Sequence, residues 1–403
     1  MTQEATFYTL MTPEIRELRA RTKAFMEEHI YPNEPTFARG GPEAEELIGS
    51  LRQEVKRLGM WAPHMPREAG GMGIGFLKYV FMNEILGRSF WAPVVFGCQA
   101  PDSGNAEILW LFGTQEQKER WLKPLVNGDI FSCFSMTEPD TAGSDPTLLQ
   151  TRAVRDGDEW VINGRKWFTS GAGRAAFAIV MAVTDPEAAP HRRATMIIVP
   201  TDTPGFRIVR SIPVMGEEHS EHYEVAYENC RVPITNTLGE PGSGFMIAQK
   251  RLGPGRIHHC MRWLGQCQRA FEMMCRRALE RYAFGGPLAE KQAIQWMIAE
   301  SAAEIQAFRL LTMHAAAKID QGDEARLEVS LIKFFGAQVL NNVIDRAVQV
   351  HGALGVTEDT PLSRMFRQAR MGRIYDGADE VHKMVVARRV LQRFASGGVY
   401  EFE

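Results

Sequence analysis

The spacing of apolar residues changes period twice along this 403-residue chain. From residue 1 to about 130, stretches such as "PEIRELRARTKAFMEEHI" and "AEELIGSLRQEVKRLGM" repeat every three to four residues, which is helical spacing. From about 131 to 240 the period shortens towards two. "AAFAIVMAVTD", "RATMIIVPTD", "GFRIVRSI" and "EHYEVAYENCRVP" are short β-rich runs bounded by Pro, Gly and Asp. From about 241 to 403 the helical period returns over long stretches, among them "HHCMRWLGQCQRAFEMMCRRALERYAFG" and "EVSLIKFFGAQVLNNVIDRAVQVHG". No helix-length pattern separates the β runs, so a compact antiparallel sheet or barrel is expected rather than βαβ units. The order is α, β, α: an N-terminal α-helical domain (1–130), a central antiparallel β domain (131–240) and a C-terminal four-helix bundle (241–403). Two turns are expected at Asp156-Gly157 and Asn163-Gly164.

Composition narrows the function. Lys and Arg (46) nearly cancel Asp and Glu (49), so the charge balance calls for neither nucleic acid nor a membrane surface. The six cysteines include no CxxC pair, and in a chain with this much core they read as buried thiols. "MTQEATFYTL" has no basic or apolar leader pattern, and no apolar run approaches the length of a membrane span. The expectation is a cytoplasmic protein.

Two signals are set aside. "GGMGIG" (70–75) resembles a phosphate loop but follows no expected strand. His258, His259 and Cys260 are consecutive in a helical pattern, where neighbours point about 100° apart and do not converge on one metal ion.

The acids of "YDGADEVH" (375–382) pose a sharper question. Asp379 and Glu380 suit the first turn of a helix, where acidic groups complement the dipole. Asp376 stands before that turn. A second candidate region, "CFSMTEPDTAGSD" (133–145), combines hydroxyls with turn-forming residues, a composition suited to a polar ring or a phosphate.

Taken with three further stretches, this loop resembles the flavin-binding signature of the acyl-CoA dehydrogenase family. The others are "INGRKWFTSGAG" (162–173), "LERYAFGGPLAEKQAIQWMIAE" (279–300) and "VQVHGALGVTEDTPLSRMFRQARMGRIYDGADEVH" (348–382). The resemblance spans nearly the whole chain. "RLGPGRIHHCMRWLGQCQRAFEMMC" is most like the branch of acyl-CoA dehydrogenase family members 10 and 11. It implies an FAD enzyme of lipid β-oxidation that converts an acyl-CoA thioester to a trans-2-enoyl-CoA. It also implies transfer of electrons to an electron-transfer flavoprotein, and a homodimer or homotetramer.

Carried over residue by residue, the resemblance makes Asp376 the acceptor of the α-proton, where the common pattern has Glu. Phe134, Met136, Thr137, Ser144, Phe168 and Ser170 match flavin contacts. Arg281, Phe284, Gln292, Gln349, Gly352, Ala353 and Glu380 match further FAD contacts, most of them reaching a neighbouring subunit. Ser144, Arg256 and Gly377 fall on the substrate side. The chain departs from the pattern in places. The loop "TEPDTAGSD" carries one residue more than the common "TEPGAGSD", Gly253 replaces an Asp, Ala378 a Thr, and Glu380 a Gln. Gly255 occupies the position where some branches put the base, so no rival carboxylate stands there. The missing methylene of Asp376 leaves room for a branched or 4-substituted acyl chain. Two alternatives remain: a flavin oxidase of the same fold, similar to nitroalkane oxidase, and a non-catalytic FAD- or acyl-CoA-binding protein.

Overall fold

The computed structural model describes residues 11–400. The leader reading of residues 1–10 falls outside them, as do residues 401–403. The longer helices, numbered among themselves, are α1 (Pro13–Phe25), α2 (Gly41–Arg57), α3 (Gly75–Leu86), α4 (Asp102–Phe112), α5 (Gly244–Glu280), α6 (Gln292–Asp320), α7 (Arg326–His351), α8 (Leu362–Gly372) and α9 (Asp379–Ala395). The strands are β1 (Ser132–Ser135), β2 (Arg152–Asp156), β3 (Glu159–Lys166), β4 (Phe177–Val183), β5 (Ala194–Pro200), β6 (Phe206–Ser211), β7 (Tyr223–Pro233) and β8 (Thr237–Leu238), with a small pair β9 (Tyr282–Ala283) and β10 (Gly286–Pro287). The expected order of helical, β and helical regions is therefore present.

The chain divides into two compact units. One comprises Met1–Trp61, Ile74–Phe96 and Arg256–Glu403; the other comprises Ala62–Gly73 and Gly97–Gly255. In the first unit, ion pairs join early helices to late ones. Arg269 on α5 binds Glu34 (2.6 Å), and Arg309 on α6 binds Glu84 on α3 (2.8 Å). Helix α3 has no capping side chain of its own. Its first N–H groups, those of Phe76 and Leu77, donate instead to the Asp320 carboxylate at the end of α6 (2.7 and 2.8 Å). A cap supplied from 244 residues away satisfies the same orphan donors that a local Ser or Asp would.

The second unit is built on one sheet of order β6-β7-β3-β2-β4-β5-β8, with β1 also on β4. Strands β4 and β5 are buried nearly throughout, which explains why "FAIVMAV" and "ATMIIVP" are continuous apolar runs rather than alternating ones. Ala178, Val180, Ile197, Val199, Val225 and Tyr227 form the core on one face. On the other, Phe177 meets Trp121 with ring centroids 4.8 Å apart. Burial of each such aliphatic side chain contributes about 1.5–3 kcal/mol.

Two expectations change in detail. The sheet is mixed, because β1 and β2 each pair with β4 in parallel. A chain that leaves β1, makes the β2–β3 hairpin and returns as β4 runs the same way twice, and residue period alone does not show it. Asp156-Gly157 does turn, with Gly157 at φ 63°. Asn163-Gly164 does not. It lies inside β3, where the register with β7 shifts and Gly164 takes φ 154°. A Cβ there would lie 2.4 Å from the Thr151 hydroxyl oxygen, so the glycine marks a bulge with close approach. Helix α5 also begins earlier than its apolar pattern suggests, and carries Pro254 inside it.

Candidate active site

Asp376 lies in the short connection between α8 and α9, at φ 54°. Left-handed backbone costs a non-glycine residue roughly 1–2 kcal/mol, so neighbours must hold it there. They do so at the carbonyl, which accepts from Arg256 Nε at 2.8 Å and lies 3.2 Å from His382 Nε2. Gly377 follows at φ 103°, and a Cβ on it would come within 2.5 Å of His382 Nε2. Lys333 Nζ on α7, fully buried, donates to the carbonyls of Gly372 (2.8 Å) and Gly377 (3.2 Å), bracketing the turn. Burial first, with the cations Arg256 and Lys333 behind it, pushes the His382 imidazole down to about 4. His382 is therefore neutral and donates from Nε2.

The Asp376 carboxylate sits 3.0 Å from His259 Nε2, with its side chain a quarter exposed. His259 lies on α5, and Trp263, one turn further on, donates to the Tyr375 hydroxyl (3.1 Å). As consecutive residues, the "HHC" run by itself points only to metal ligation. The usable signal was the spacing Arg256, His259, Trp263, which places all three on one face of a helix.

The two other acids of "YDGADEVH" have different roles. Both fall in the first turn of α9. Asp379 is buried and accepts from Arg373 Nε at 2.7 Å, while Glu380 is exposed. Arg256, Asp376 and Gly377 are thus brought together, while Glu380 stays exposed in the first turn of α9.

In the second unit, two segments thirty residues apart in sequence are joined. Thr137 Oγ1 donates to the Trp167 carbonyl (2.9 Å), and Trp167 N–H donates back to the Thr137 carbonyl (3.0 Å). Beneath them Lys166 Nζ, fully buried, binds the Met136 carbonyl (2.8 Å) and the Glu138 carboxylate (2.9 Å). Glu138 also accepts the N–H groups of Gln150 and Thr151. Burial alone would raise the Glu138 carboxyl, but the Lys166 ammonium and these donors together hold it below its ordinary value. Phe168 then takes φ 49° with its ring exposed. Ser170 Oγ lies 2.7 Å from His222 Nδ1. Phe134 has the Arg251 guanidinium 4.0 Å over its ring, a contact that residue spacing does not foretell. Ser144 is exposed in the loop whose Gly143 packs against Thr137.

The remaining candidates are all exposed: Arg281, Phe284, Gln292, Gln349, Gly352, Ala353 and Glu380. Phe284 is 97% exposed, so packing within the chain does not explain its ring; its φ of 50° is that of the first residue in the two-residue turn joining β9 to β10. Gly352 at φ 64° ends α7. The exposed Arg281 guanidinium has the paired donors that a pyrophosphate would need.

Residues 12–129, 133–230 and 242–391 match the acyl-CoA dehydrogenase N-terminal, middle and C-terminal domains. The chain belongs to the acyl-CoA dehydrogenase family, a family of oxidoreductases, and has its fold. It is 48% identical to FadE2 of Mycobacterium tuberculosis, named a probable acyl-CoA dehydrogenase, over 95% of this chain and 97% of that one. It is 43% identical to acyl-CoA dehydrogenase family member 11 of Gallus gallus over 93% of this chain, but spans only 50% of that protein's length. Among solved structures, butyryl-CoA dehydrogenase from Megasphaera elsdenii superposes with a TM-score of 0.84 at 31% identity, covering 94% of this chain and 98% of that one. The family relationship implies a flavin cofactor. No helix among the described residues is long and apolar enough to cross a membrane.

Proposed function

We propose that this chain is an FAD-dependent acyl-CoA dehydrogenase that converts an acyl-CoA thioester to the trans-2-enoyl-CoA, with Asp376 as acceptor of the α-proton. The observation that carries this reading is the Asp376 turn. A carboxylate is held in a strained backbone conformation by side chains from α5 and α9, and strain of that kind persists where surrounding structure over-determines it. Bound FAD would supply the acceptor for the hydride from Cβ. This chain's own part is to hold the cofactor, orient the thioester and take the proton. Phe134, Met136, Thr137, Ser144, Phe168 and Ser170 are the proposed contacts to the ring side, with Arg281, Phe284, Gln292, Gln349, Gly352, Ala353 and Glu380 on the dinucleotide. Ser144, Arg256 and Gly377 are the proposed substrate contacts.

Exposed Phe284 and Arg281 favour an assembly of two or four copies, each completing a neighbour's cofactor site. An electron-transfer flavoprotein is the proposed electron acceptor. A solved structure described as the electron transferring flavoprotein of Acidaminococcus fermentans includes a chain 30% identical to this one, with a TM-score of 0.84.

The test is anaerobic mixing of FAD-loaded enzyme with acyl-CoAs of graded length, with and without a 4-hydroxyl. The wild type should bleach its flavin with at least one of them. Asp376→Asn should slow that bleaching by about 10²–10⁴-fold, the usual contribution of a general base. Bleaching of Asp376→Asn at the wild-type rate would remove Asp376 from the role.

A further inference from the structure

Helix α5 reaches Asp376 twice. Arg256 takes its carbonyl, and His259, one turn on, takes its carboxylate through Nε2 at 3.0 Å. The second ring nitrogen of His259, Nδ1, lies 3.1 Å from an Arg262 guanidinium nitrogen. A guanidinium only donates. Nδ1 must therefore carry the lone pair, and the ring proton must sit on Nε2, aimed at Asp376 Oδ2. The pair is a neutral imidazole donating to a carboxylate, not an imidazolium–carboxylate ion pair.

The surroundings agree with that state. The ring faces Arg262 on its own helix, Trp263 (6.0 Å, stacked), Tyr375 (4.7 Å), Lys333 on α7 and Asp376 itself. Burial is the largest influence and pushes the imidazole below its ordinary value. Arg262 and Lys333 push the same way, and only Asp376 opposes them. A second proton on the ring would have to displace Arg262 from Nδ1.

We propose that His259 is the positioning residue of the proton acceptor: its Nε2–H fixes the orientation of the Asp376 carboxylate, and it does not itself receive the abstracted proton. A relay would require a lone pair facing Asp376, and the only lone pair is committed to Arg262. Orientation has large leverage here, because a displacement of about 1 Å at a reacting group costs on the order of 10²-fold in rate. The inference rests on the reading of Asp376 as the base.

Three measurements test it. In His259→Leu, flavin bleaching by a good acyl-CoA should slow by about 10–100-fold while acyl-CoA affinity stays within about threefold. His259→Gln, whose amide nitrogen reaches the place of Nε2, should recover most of that loss. Removal of a donor to the charged form should also move the acid limb of the bleaching rate in His259→Leu to higher pH. Independently of turnover, protein labelled with ¹⁵N at its ten histidines should contain one ring signal that is absent from His259→Gln. That ring should show the Nε2–H tautomer, with a midpoint below that of an ordinary histidine. An Nδ1–H tautomer, a midpoint near 6.5, or wild-type bleaching in His259→Leu would overturn the proposal. If no acyl-CoA bleaches the wild type, the functional reading fails, yet the ring signal still decides the tautomer.

Discussion

Asp376 and Phe168 hold φ of 54° and 49°, each a conformation that side chains disfavour, and different neighbours keep them there. Asp376 is held through side chains. Arg256 and His382 reach its carbonyl, His259 its carboxylate, and Lys333 the carbonyls on either side. Phe168 is held through the main chain. Trp167 N–H donates to the Thr137 carbonyl, Thr169 N–H to that of Tyr223, and Ser170 N–H to that of Phe168 itself, while the Phe168 ring stays 43% exposed. A group whose direction matters is fixed from several helices. The Phe168 ring is left open, and rigidity is delegated to the backbone and to the Lys166–Glu138 pair below. Three lines of substitution test this contrast.

The largest effect belongs to that buried pair. Lys166→Met leaves the Glu138 carboxylate buried with two N–H donors and no cation, and should cost about 3–5 kcal/mol in denaturant unfolding. Glu138→Gln combined with Lys166→Met should recover much of the loss, because no uncompensated charge remains. The pH dependence follows from Glu138. Its folded pKa lies below the ordinary 4.5, so its contribution is present above that value and is lost as pH falls through the depressed one. Glu138→Gln should therefore flatten part of the acid limb of stability below about pH 4.5. An unchanged limb would place the acid sensitivity elsewhere.

Next is the anchor on the Asp376 carbonyl. Arg256→Met removes the charged donor at 2.8 Å and leaves His382. A hydrogen bond of this kind contributes about 1.5–3 kcal/mol, so the variant should unfold more easily by that amount or somewhat less. Amide exchange across residues 373–379 should quicken more than in the sheet. Uniform quickening would mean that Arg256 supports α5 as a whole rather than this turn.

Much of the fold could be read from spacing, and less of the site. The two period changes located the helical and β regions because burial on one face imposes a repeat on the sequence. The parallel pairings on β4 stayed hidden because strand direction depends on how distant segments return. The bulge at Asn163-Gly164 is hidden for a related reason. A glycine at a turn and a glycine at a bulge look alike in sequence, and only the close approach of Thr151 separates them. At the site, Asp376 was legible through motif resemblance and Asp379 through helix-start chemistry. His259 and Arg251 were not, because each acts on a residue 117 or more positions away through one hydrogen bond or ring contact. Helix-face spacing on α5 was the one available clue for His259.

The smallest effect tests the backbone itself. Phe168→Gly should release about 1–2 kcal/mol of left-handed strain. Against this, glycine adds about 0.5–1 kcal/mol of unfolded-chain entropy, leaving the variant as stable as wild type or slightly more so. That expectation holds only if the half-open ring contributes little packing. Asp376→Gly relieves the same strain but also loses the His259 hydrogen bond to its carboxylate, about 1.5–3 kcal/mol, so it should show no such gain. Denaturant midpoints of the two variants measure the difference directly. If Phe168→Gly were the more destabilised, its ring would be a packing element of the sheet unit, and the contrast between an open turn and a wired one would fail. Loss of FAD affinity in Phe168→Gly without loss of stability is the outcome that an open, ligand-facing ring requires.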